Sequence, residues 1–130
     1  RRGTRIYLDY ERDAQFSTYQ NNFYFEETYG GLRFEAFLGA NWGIQAGFSR
    51  RDIVYPEETL EPIFNAELGE FENVLIQRED TIDDQFGGIL LNLRSGLTLG
   101  IRVGVRDRTS VVERFEDRQT YVSTTGSFSF

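Results

Sequence analysis

Apolar and polar residues alternate with a period of two along most of this chain, and the alternation predicts antiparallel β-strands. Ile6, Leu8 and Tyr10 interleave with Arg5, Tyr7, Asp9 and Glu11. Leu32, Phe34, Ala36 and Leu38 interleave with Gly31, Arg33, Glu35 and Phe37, and Trp42, Ile44, Ala46 and Phe48 with Gly43, Gln45, Gly47 and Ser49. The pattern returns in Ile89, Leu91 and Leu93 against Leu90, Asn92 and Arg94, then in Leu99, Ile101, Val103 and Val105 against Gly100, Arg102, Gly104 and Arg106. A sixth strand, roughly Tyr121 to Phe130, sets Val122, Thr124, Gly126, Phe128 and Phe130 on one face. The helical period of 3.6 fits none of these segments.

Residues 29–52 align without a gap on residues 86–109, with Gly30/Gly87, Gly31/Gly88, Gly39/Gly96, Gly43/Gly100, Ile44/Ile101, Gly47/Gly104 and Arg51/Arg108 identical. Each copy reads as one hairpin. The predicted tight loops are Gly39-Ala40-Asn41 between Leu38 and Trp42, and Gly96-Leu97-Thr98 between Ser95 and Leu99. The remaining connections read as long: about 15 residues around Asp13 to Thr28, a strongly acidic loop over about 50–85, and about 12 residues from Asp107 to Thr120. In the acidic loop Arg78 is the single cation between Asp52 and Asp84. Short turns and long loops thus segregate to opposite ends of the sheet, the layout of outer-membrane barrels.

Composition narrows the chemistry. The chain holds no cysteine and no histidine, so disulfides, thiolate metal sites and the commonest catalytic base are absent, and no enzyme activity or cofactor is expected. A net charge of −7 argues against nucleic acid as a partner. No aliphatic run exceeds three residues, as in Ile89-Leu90-Leu91, whereas a spanning helix needs about 20 apolar residues. The opening Arg1-Arg2-Gly3 carries neither Met nor an apolar signal core, so a secretory signal is expected to be removed or to lie upstream. Glu57/Glu58 and Asp83/Asp84 could act as acid–base pairs or as oxygen ligands for Ca²⁺ bridging lipopolysaccharide, but no ordered ligand spacing distinguishes them from a hydrated acidic loop.

Amphipathic strands fit either a soluble barrel with its apolar face inward or a membrane barrel with that face outward. The polar face here alternates glycine with arginine, glutamate or glutamine, which suits a polar lumen. Aromatic residues stand at the ends of the apolar bands, Trp42, Phe128 and Phe130 at one end, Tyr10 and Phe48 at the other, as an interfacial girdle requires. The expected lipid-facing set is Leu32, Phe34, Leu38, Trp42, Ile44, Phe48, Ile89, Leu91, Leu93, Leu99, Ile101 and Val103. The expected lumen-facing set is Arg33, Glu35, Gln45, Asn92, Arg94, Arg102 and Arg106. The glycines at 43, 47, 100 and 104 read as sites of strand bending and close packing.

With the alternating strands, the repeated hairpin and the ending Phe128-Ser129-Phe130, the chain resembles the C-terminal part of bacterial outer-membrane β-barrels. In texture, at Leu8-Asp9-Tyr10-Glu11-Arg12, Gly47-Phe48-Ser49-Arg50-Arg51-Asp52 and Gly104-Val105-Arg106-Asp107-Arg108, it is similar to the β-barrel porin 2 family, found alongside exopolysaccharide export. The resemblance implies an all-β, antiparallel up-and-down transmembrane sheet of about six strands within a larger barrel of the bacterial outer membrane. It implies passage of polar solute or polysaccharide. It also implies contact with lipid and lipopolysaccharide, and an assembly signal at Phe128 and Phe130 read by the barrel-assembly machinery. The alternative is a soluble antiparallel β-barrel binding a small apolar ligand.

Overall fold

The computed structural model describes residues 3–19, 22–93 and 96–128. Among them six strands form one antiparallel sheet in sequence order: β1 (Gly3–Phe16), β2 (Tyr24–Phe37), β3 (Trp42–Asn65), β4 (Glu70–Asn92), β5 (Leu97–Ser110) and β6 (Asp117–Phe128). The meander is all-β, as the period-two pattern predicts. It is not closed: β1 and β6 are the two edges of the sheet, each paired on one side only.

Period-two alternation fixes the faces because successive side chains in a strand point to opposite sides. One face carries apolar rows that run straight across the sheet, such as Ile6–Phe34–Ala46–Gly87–Val103–Val122 and Ala36–Ile44–Ile89–Ile101–Thr124. All twelve residues of the expected apolar set stand exposed, Ile101 at 49%. On the opposite face Gln45 is only 3% exposed, and Gly43, Leu90, Gly100 and Gly104 are buried. The sheet therefore curls around its polar face. A cavity of about 280 Å³ on that side is lined by residues of all six strands, from Arg5 of β1 to Ser127 of β6.

Tight curvature brings backbones close on the inner face. A Cβ at Gly43 would stand 2.5 Å from the Ala36 carbonyl oxygen, and one at Gly88 would collide with the Ile101 carbonyl oxygen. Elsewhere rings fill the space over glycine: Phe86 over Gly47, Tyr121 over Gly104. Gly30, on the outer face, has open space at its Cβ position. Gly88→Ala should therefore cost about 1–3 kcal/mol through forced backbone displacement, while Gly30→Ala should be nearly neutral. Denaturant unfolding of the two variants in detergent micelles separates them, and equal stability would refute this account of the curvature.

Three expectations are corrected. The acidic segment over about 50–85 is not an open loop: β3 and β4 continue as a paired hairpin out to Asn65 and Glu70. Asn65 closes its tip by accepting the Glu67 N–H at 3.0 Å through its side chain, and Gly69 takes φ 71°. The other two long connections shrink to 17–23 and 111–116, the latter holding a 3-10 turn at Glu113–Phe115. Finally, the second tight turn lies earlier than predicted. Leu93 N–H donates to Leu97 O at 2.8 Å, so the two strands already close between Leu93 and Leu97, with Gly96 at φ 79° directly before Leu97. The first turn does sit between Leu38 and Trp42, whose N–H···O bond is 3.2 Å. The two copies of the repeat consequently differ in pairing. Ala46 faces Phe34, but its counterpart Val103 faces Gly87 rather than Leu91. The shift is an even number of residues, so no side chain changes face.

Candidate functional site

The inner face divides into two halves of different electrostatic character. Toward the long-connection end its charges are paired. Arg106 donates from Nε (3.0 Å) and Nη2 (2.9 Å) to Asp84, and Tyr121 donates to the same carboxylate at 2.5 Å. Arg51 pairs with Glu27 at 3.1 Å. Toward the short-turn end the cations are in excess. Arg5, Arg33 and Arg102 line the 280 Å³ cavity with a single carboxylate, Glu35. The Tyr7 hydroxyl donates to Glu35 Oε2 at 3.2 Å, and Arg33 Nε stands 3.6 Å from Glu35 Oε1. The guanidinium of Arg33 lies over the Tyr7 ring at 4.2 Å and that of Arg102 over Phe86 at 4.8 Å. Stacking uses the flat face of a guanidinium and leaves its N–H edge free to donate.

Of the expected polar set, Arg33, Glu35, Gln45 and Arg102 meet at this one cavity. Arg106 belongs instead to the Asp84 cluster, and Asn92 stands at the short-turn margin opposite Thr98. Arg94 and Phe130 lie outside the described residues. The sequence reading missed Arg5 and Tyr7 as cavity residues, although both alternate with Ile6 and Leu8 and thus carried the needed signal. It also missed Asp84, the partner that neutralises Arg106.

The acid–base reading of Asp83/Asp84 is overturned by strand geometry. Neighbouring residues point to opposite faces, so Asp83 binds Arg50 on the outside while Asp84 binds Arg106 on the inside. Glu57 does not act with Glu58 as a free carboxylate pair on a loop. Both belong to β3, and the Glu57 backbone is clamped at a bulge.

That bulge stands beside a cluster of buried side chains that includes Asn22, Tyr55, Thr59, Glu61, Arg78 and Asp80. Pro56 cannot donate to a β-ladder, and the β3–β4 register shifts between Val54 and Glu58. The peptide groups freed there find a substitute strand in one side chain. Asn22 Nδ2 donates to Glu57 O at 3.1 Å, and Glu57 N–H donates to Asn22 Oδ1 at 2.8 Å. Opposite the bulge, Arg78 is 4% exposed within rings of Tyr19, Tyr55 and Phe115, at 4.5, 4.8 and 3.5 Å from their centroids. Its guanidinium forks onto Asp80 at 3.1 and 2.7 Å. Arg108 (2.6 Å) and Ser110 (2.5 Å) complete the shell around the Asp80 carboxylate. Glu61, also buried, binds Arg114 at 2.6 Å and the Tyr19 hydroxyl. Burial pushes the Asp80 carboxyl up, but the hydrogen bonds from Arg78 and Ser110 and the charges of Arg78 and Arg108 outweigh it and hold it below the usual carboxylate range. The cluster draws on the 17–23 connection, the β3–β4 extension and the 110–115 segment, so it locks the long-connection end into one body.

On the outer face the apolar band has a sharp margin. From Leu97 to Val105 is eight residue steps, about 26 Å along the strand at about 3.3 Å per residue. The next row across the sheet reads Tyr10–Gly30–Arg50–Asp83–Asp107–Arg118. Arg50 and Asp83 form a bidentate pair there at 2.8 and 2.7 Å. Trp42 and Phe128 mark the opposite margin.

No family model, curated protein or solved structure matches this chain.

Proposed function

We propose that this sheet is part of the wall of a bacterial outer-membrane β-barrel that passes polar solute or polysaccharide. The observation that carries the reading is the placement of the faces: the apolar face is the outer, exposed one and the polar, arginine-lined face is the one the sheet curls around. A water-soluble sheet places these faces the other way round. An apolar band of nine residues from Leu97 to Val105, ending in a charged row, has the length that a tilted strand needs to cross the hydrocarbon. The soluble apolar-ligand barrel lacks support on the same ground, because its ligand would need the face that is exposed here.

The inner charge ladder then has two roles. The paired half around Asp84 fixes the interior, and the half where arginines outnumber carboxylates sets a positive local field despite the chain's net charge of −7. The test is fractionation of the native protein. It should be recovered with outer membranes, require detergent for extraction, and aggregate when detergent is withdrawn. Recovery as a monodisperse species in plain buffer would overturn the proposal.

A further inference from the structure

We infer that the cavity between β1 and β6 is a binding site for a small oxyanion, either the carboxylate of an acidic saccharide or free phosphate. This deepens the reading of the polar face as a solute path and rests on that face being reached by water.

The cavity wall holds buried donors that no hydrogen bond uses. Gln45 is 97% enclosed, yet its Nε2 makes no hydrogen bond, and the same holds for the buried Nε atoms of Arg33 and Arg102. An unmatched buried donor costs free energy, and all three side chains line this one cavity, so acceptor oxygens supplied there would relieve that cost. Three guanidinium groups face Glu35 in this cavity and Asp9 in the pocket beside it, so positive charge is in excess by one. Glu35 does not satisfy these donors, since its contact to Arg33 Nε is 3.6 Å and its other oxygen is taken by Tyr7. Because the guanidinium groups of Arg33 and Arg102 stand over the Tyr7 and Phe86 rings, both side chains are already placed, and binding orders few further torsions. Planar forks of N–H groups match the two oxygens of a carboxylate or phosphate. A volume of about 280 Å³ admits one sugar ring or one phosphate, and the cavity wall has hydroxyl groups at Thr98, Thr125 and Ser127 to meet neutral oxygens.

The experiment is calorimetric titration of the detergent-solubilised protein with sodium phosphate, sodium galacturonate and galactose at about 20 mM ionic strength, where the Debye length is roughly 20 Å. One saturable site for phosphate or galacturonate, and none for galactose, is expected. The tighter of the two anions identifies the source. Arg33→Gln or Arg102→Gln should weaken binding by about tenfold or more, the loss of one charge-assisted hydrogen bond. Gln45→Glu, which keeps the shape and supplies its own carboxylate, should abolish it. Arg118→Gln, on the outer face, should leave it unchanged. Absence of saturable anion binding in the folded protein, or equal weakening by Arg118→Gln, would overturn the site. Fractionation tests the membrane reading separately, so a protein that partitions to membranes without binding anions refutes only this inference.

Discussion

Arginine at Ile44 or Ile101 is expected to remove about 2–4 kcal/mol of folding stability in lipid vesicles, the cost of a guanidinium near the middle of the hydrocarbon. Both side chains lie in the central row Ala36–Ile44–Ile89–Ile101–Thr124, three rows below the charged row. Neither can reach the polar face, since the whole strand would have to slip by one residue to turn it over. Ser49→Arg provides the control, because Ser49 sits on the inner face directly opposite Asp84 and its replacement would find a carboxylate. Urea unfolding in vesicles of matched composition measures all three. If Ile101→Arg and Ser49→Arg prove equally tolerated, the outer face does not meet lipid.

Asp80→Ala is expected to cost about 3–5 kcal/mol, because it strands the buried Arg78 guanidinium without its counter-charge. Removing both charges should be far milder: Arg78→Met with Asp80→Leu should recover most of the loss, while Arg108, partly exposed, turns to water. The same pair predicts an acid effect. The Asp80 carboxyl is held below its ordinary value, so its contribution is fully present above the unfolded carboxylate pKa of about 3.9 and disappears as pH falls through the lower folded value. Hydrogen exchange at residues 57–61 should therefore accelerate below about pH 4 before exchange in the apolar band does. A simultaneous loss of protection in both regions would show that the cluster is not an independent element.

The faces were legible in the sequence because alternation survives every local change of pairing. Leu32, Phe34, Ile89 and Ile101 all stand where a period of two puts them. Register was not legible. The identical glycines 39 and 96 suggested equivalent hairpins, but Gly39 opens the first turn and Gly96 closes the second, where its positive φ is used. The Arg78 cluster was hidden for a different reason. Its members come from the 17–23 connection, the extended β3–β4 hairpin and the 108–115 stretch, far apart in sequence, and the acidic residues around it suggested a solvated loop. One trace was present: a lone arginine among so many carboxylates is a poor solubilising device and a good buried counter-ion. Pro56 also reads as a breaker in isolation. Only the Asn22 clamp explains how a strand can run past it.

The open edges of the sheet bear on the order of events in biogenesis. β1 and β6 each present a row of ladder groups that, among the described residues, no neighbouring strand takes up. In water such groups are solvated, but in hydrocarbon each costs several kcal/mol. On the proposed reading, a sheet of this kind cannot enter the bilayer first and find its seam partners afterwards. Insertion and seam closure must be a single concerted step, with the edges templated by other strands until the last bond forms. A kinetic intermediate that is lipid-embedded but still labelled rapidly by deuterium along β1 would be incompatible with that order.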